Sequence, residues 1–125
     1  VRLEGITLNA TLDRLEIQFT GMCDGLRPDL SMLLSQGKIM VAGPSACGTI
    51  TVLPGPHAGE ASVICMGTLY SAPVTVRADP EGSDGPVAYT VTVGLPRGSL
   101  ARGEEYIVTV YLRDLPVTTV RVAAK

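Results

Sequence analysis

The sequence contains no tryptophan, one phenylalanine and four tyrosines. A core of any size must therefore be built from Val, Leu, Ile and Ala rather than from rings. A surplus of positive charge is also missing: ten Lys and Arg face twelve Asp and Glu, for a net charge of −2. Such a balance offers no field to recruit nucleic acid or an anionic membrane. No apolar run approaches the roughly 20 residues that cross a bilayer as a helix, so membrane insertion by that route is excluded. Histidine occurs once, at His57. Any triad or Cys–His pair would have to use it, and with no Cys-x-x-Cys pair beside it no zinc set is expected.

What remains is a chain of 125 residues with 46% apolar composition, the size of a single domain that can bury a hydrophobic core. It opens on Val1, with no basic-then-apolar leader, which points to a mature chain or a module of a longer protein. The one asparagine lies in Asn9-Ala10-Thr11, an acceptor triplet for an N-linked glycan in a secretory setting. Cys23, Cys47 and Cys65 are an odd number for a secreted domain. Two readings stay open: one disulfide with a leftover thiol, or three reduced thiols packed as small hydrophobes. For a disulfide, Cys47 with Cys65 is favoured, because strands at 48–53 and 60–66 run away from Cys47 and return toward it.

Alternation dominates the pattern. Val87, Tyr89, Val91 and Val93 fall on one face of a strand, with Ala88, Thr90 and Thr92 on the other; Tyr106, Val108, Val110 and Leu112 repeat the arrangement. Leu15, Ile17 and Phe19 alternate with Arg14, Glu16 and Gln18, which places Phe19 in the core and charge outside. Further short strands are predicted at 3–9, 38–42, 48–53, 60–66, 73–78 and 117–123, separated by Gly-Pro pairs and other turn signals. Leu3 and Ile6 have opposite parity around Gly5, so the first strand needs a bulge and is a candidate for pairing with a neighbouring copy. Residues 29–36, from Asp29 as N-cap to a stop at Gly37, read as the one short helix. The expected fold is all-β, an antiparallel sandwich of seven to nine strands.

The stretch from Leu95 to Tyr111 resembles the approach to strand F of fibronectin type III and related immunoglobulin-like domains. Leu100, Gly103 and Tyr106 stand at the spacing of the tyrosine corner, and Gly103 to Val110 is similar to the penultimate strand of filamin-type repeats. The resemblance implies an immunoglobulin-like sandwich with the Tyr106 ring buried and its hydroxyl returned to backbone near 100–103. It covers about the last third of the chain. Phe19 stands in for the usual buried Trp, and Arg102 replaces the usual Pro.

Catalytic chemistry is not indicated. His57 lies in Leu53-Pro-Gly-Pro-His-Ala-Gly59, a loop sequence. The carboxylates of Asp79, Glu81 and Asp84 approximate a calcium loop but lack its Gly at the sixth position and its acid at the twelfth. Glu104 and Glu105 are adjacent and point to opposite faces. Arg97, Arg102 and Arg113 could share one end of the molecule but have no aromatic residues between them. The expectation is a non-enzymatic structural or adhesive module, extracellular or on a cell surface. It uses no cofactor or metal, and its partners are other modules or copies of itself. The alternative is a protein- or carbohydrate-binding module using the His57 loop or residues 94–103; a reduced intracellular scaffold or an enzyme forms a third class.

Overall fold

The computed structural model describes residues 2–21, 30–34, 37–44, 48–57, 59–79, 87–113 and 115–125. Among these residues, nine strands and one short helix follow in order: β1 (Arg2–Asn9), β2 (Arg14–Gly21), α1 (Leu30–Leu34), β3 (Lys38–Ala42), β4 (Thr49–Pro54), β5 (Glu60–Cys65), β6 (Thr68–Asp79), β7 (Val87–Gly94), β8 (Glu105–Leu112) and β9 (Leu115–Ala123). All neighbouring strands are antiparallel, in the single order β1-β2-β7-β6-β5-β4-β3-β8-β9. Odd-numbered strands run toward one rim, called the upper rim here, and even-numbered strands leave it. The β1 bulge falls between Leu3 and Gly5, where the two inward parities require it.

This order corrects the two-sheet reading. The protein is neither an immunoglobulin-like nor a fibronectin type III-like sandwich, but one all-β sheet curled into a nearly closed barrel. The cause lies in β6. Its first half, Thr68–Pro73, pairs with β5, and its second half, Val74–Asp79, pairs with β7. One twelve-residue strand thus turns the corner that two separate sheets would leave open. Pro73 sits at the changeover, a position where a missing N–H costs no continuous ladder.

At the opposite side β1 and β9 approach each other. Nine alternating strands cannot close a ring antiparallel throughout, because β1 and β9 then run the same way. Two backbone hydrogen bonds meet that requirement at the upper rim: Ala10 N–H donates to the Lys125 carbonyl (2.8 Å) and Lys125 N–H donates to the Leu8 carbonyl (3.0 Å). Bonding of one residue to the two flanking another is the parallel pattern.

Inward side chains from every strand form one aliphatic core, including Leu15, Ile17, Val41, Val52, Val63, Val91 and Val108. Phe19 is fully buried there and stacks on Tyr89, directly opposite it in register, with centroids 5.3 Å apart. The helix contributes Leu30 and Leu34, one turn apart and both buried. Gly37 N–H donates to the Leu34 carbonyl and ends it. A Cβ at Gly37 would overlap the Tyr111 carbonyl, so only glycine lets the chain pass from α1 into β3 beside β8. Asp29, the expected N-cap, lies outside the described residues.

Candidate binding cleft at the barrel corner

β7 ends at Gly94, one residue past its last pair with β6 at Val93↔Val74, so the upper half of β6, Thr68–Pro73, runs on beyond it and leaves an opening on that side. The opening is a cleft of about 350 Å³. One wall is the stretch Tyr70–Pro73 of β6, on the edge that no longer meets β7. The other is formed by the β1–β2 turn (Leu12, Asp13, Arg14) and the end of β7 (Gly94, Leu95, Pro96). Tyr70 is 44% exposed and Leu12 53%, so an aromatic ring and an aliphatic chain meet solvent at the mouth. The inward parity that buries Ala72 on β6 carries Tyr70 over the barrel opening.

The wall formed by the β1–β2 turn and the end of β7 is tied together by its own hydrogen bonds. Asn9 Oδ1 accepts from Leu12 N–H (3.0 Å), closing the β1–β2 turn. Asp13 has φ +50°, a left-handed conformation that Asp tolerates better than most residues. From there its carbonyl accepts from Leu95 N–H (2.7 Å) and its Oδ1 from Gly98 N–H (3.2 Å). A second support lies further along the rim. The Tyr106 ring is fully buried, and its hydroxyl accepts from Ala101 N–H (2.7 Å) and donates to the Pro44 carbonyl (2.6 Å). One phenol thereby fastens the 95–104 loop to the start of the β3–β4 connection. Leu100 packs in the core, and Gly103 holds φ +85° in the turn that leads into β8.

Other residues singled out in the sequence are dispersed. Cys65, at the upper end of β5, is disulfide-bonded; Cys23 and Cys47 lie outside the described residues, and with them the expected pairing. His57 is exposed in the β4–β5 connection, at the rim opposite Cys65, so no Cys–His pair forms between them. The acidic turn that falls short of a calcium loop lies largely in 80–86, outside the described residues. Among the described residues no group of three or more His, Cys, Asp or Glu could hold a metal, and no helix is long and apolar enough to cross a membrane. Arg97 and Arg102 lie in the upper-rim loop, whereas Arg113 follows β8 at the lower rim, so the three arginines do not share one end. Glu104 and Glu105 are exposed, and Glu105 lies 3.9 Å from Arg121, a solvent-screened pair of small energetic weight.

Sequence reasoning reached part of this cleft, residues 94–96, and missed Leu12, Asp13 and Tyr70. An apolar Leu in a two-strand turn between Thr11 and Asp13 was the available signal. The walls and rim groups can bind, through an exposed ring, aliphatic surface, a guanidinium and backbone. The fold is an all-β, barrel-like domain with a cleft at one corner. No protein-family model, curated protein or solved structure matches the chain.

Proposed function

We propose that the chain is a non-enzymatic recognition module, a structural or adhesive unit of an extracellular or surface assembly that engages a protein partner through the corner cleft. The observation that carries this reading is the exposure of Tyr70 and Leu12 on opposite walls of a cleft braced by Asp13. A Tyr ring and an aliphatic chain held on a rigid frame supply contact area at small entropic cost, as protein interfaces commonly do. The disulfide at Cys65 supports an oxidising compartment. Arg14, Glu16, Gln18 and Arg77 line the outer face of β2, β7 and β6 while aliphatic side chains fill the interior; a barrel facing lipid has the reverse arrangement.

The test is a photo-crosslinking amino acid at position 70, introduced in the native cells. Capture of one defined surface protein, abolished by Leu12→Ser, is the expected result. Crosslinking to no partner, or capture that Leu12→Ser leaves unchanged, would overturn the assignment of the cleft. Capture of a glycan would move the reading to carbohydrate recognition, which also stacks on exposed rings.

A further inference from the structure

We propose a second site, independent of the corner cleft: the seam between β1 and β9 accepts an extended β-strand from a partner polypeptide as a tenth strand. The argument begins with parity. β1 and β9 run in the same direction, so a strand running opposite to them would pair antiparallel with both at once. The ring would then hold ten strands, an even number, and close without a parallel step. Its orientation follows: it runs from the upper rim downward.

The seam is prepared for such an insertion. Among the described residues, the two bonds around Lys125 pin it at the upper rim, and no ladder joins the two strands below them. A gap of about 140 Å³ opens there, lined by Leu3, Ile6, Thr118 and Val120 among others. Leu3, Ile6 and Val120 pack against the core yet stay only partly buried.

Backbone alternation supplies the rest. The Leu8 carbonyl and the N–H and carbonyl of Lys125 face the seam, so alternation at two-residue steps back along each strand turns the bonding groups of Ile6 in β1, and of Arg121 and Thr119 in β9, to the same side. Edge groups of this kind are the template for strand addition. The occupant is therefore defined by chemistry: an extended segment with aliphatic side chains on alternate positions, which cover Leu3, Ile6 and Val120, and polar ones facing out beside Thr119. The seam widens from the lower rim to admit it, with the Lys125 bridge as hinge.

The probe is a short synthetic peptide of alternating Val and Thr, with a proline-substituted version as control. At saturating peptide, amide exchange at Ile6, Thr119 and Arg121 is expected to slow about tenfold or more, as it does for amides entering a ladder. Thr119→Pro removes a seam-facing donor and leaves the β8 ladder intact, so it should weaken peptide binding about tenfold. Thr119→Val should bind as the parent does. Should Thr119→Pro fail to fold, the exchange map of the unmodified protein locates the site by itself. Three results would overturn the proposal: no protection at the seam, protection confined to Tyr70–Pro73 at the corner cleft, or protection of the seam amides by self-association without peptide.

Discussion

Tyr106 illustrates how one side chain can hold a rim together. Its hydroxyl serves two backbone groups from loops 62 and 5 residues away in sequence, and its ring fills the space beneath Gly43, where a Cβ would overlap it. Tyr106→Phe leaves the Ala101 N–H and the Pro44 carbonyl without that partner and is expected to cost about 1–3 kcal/mol in urea unfolding. An unchanged midpoint would show that water replaces the phenol at no cost. Met66 gives the opposite case. With Gly67 it forms the tight β5–β6 turn, both residues at positive φ (50° and 77°), the geometry for which Asn-Gly is the favoured sequence. The Met66 side chain is 77% exposed, so little packing is lost on replacing it. Met66→Asn should raise stability by about 1 kcal/mol by relieving the left-handed strain, read as a higher thermal midpoint.

At the scale of elements, the strands were the legible part. Alternation at Val87–Val93 and Tyr106–Leu112 marks one buried face, and β7 and β8 lie over those residues. Alternation is nevertheless the same whether a strand belongs to a sandwich or a barrel, since both bury one face of each strand. The deciding feature was the run of β6 through Pro73, and proline is ordinarily a boundary signal, so the strand was expected to begin there. The corner cleft was legible only at residues 94–96, for a related reason. Its walls come from 12–14, 70–73 and 94–96, brought together only where β6 parts from β7. The structural role of Pro44 carries no signal at all, because it resides in a backbone carbonyl. The same topology bears on the cysteines. β5 ends with Cys65 at the upper rim, where β3 ends at Ala42 and β4 begins at Thr49, while β2 ends with Gly21 at the lower rim. Peptide mapping without reduction is expected to return Cys65 joined to Cys47, carried by the β3–β4 connection; a Cys23–Cys65 peptide would contradict this.

For the molecule as a whole, the question is what holds the two ends of the strand order together. Every other junction is a ladder of several residues, whereas β1 and β9 are joined through Lys125 and its bonds to Leu8 and Ala10. Ala124 beside it is buried and bonds to Glu104 on the β8 side, so the segment after β9 is anchored from both flanks. Lys125→Pro removes the N–H that reaches the Leu8 carbonyl and keeps the carbonyl that accepts from Ala10. The loss of one net hydrogen bond is expected to cost about 1 kcal/mol globally. Its local effect should be larger, because the β1 side then keeps one of its two bonds to Lys125 besides its ladder with β2. Amides of Thr7 and Asn9, which alternation turns toward β2, should then exchange faster, while those of Thr51 and Leu53 in β4, across the barrel, change only by the global amount. A uniform rise at all positions would mean that the barrel opens only as a unit and that the seam is not its weakest junction. A rise confined to β1 and β9 would identify the seam as the place where this sheet first comes apart.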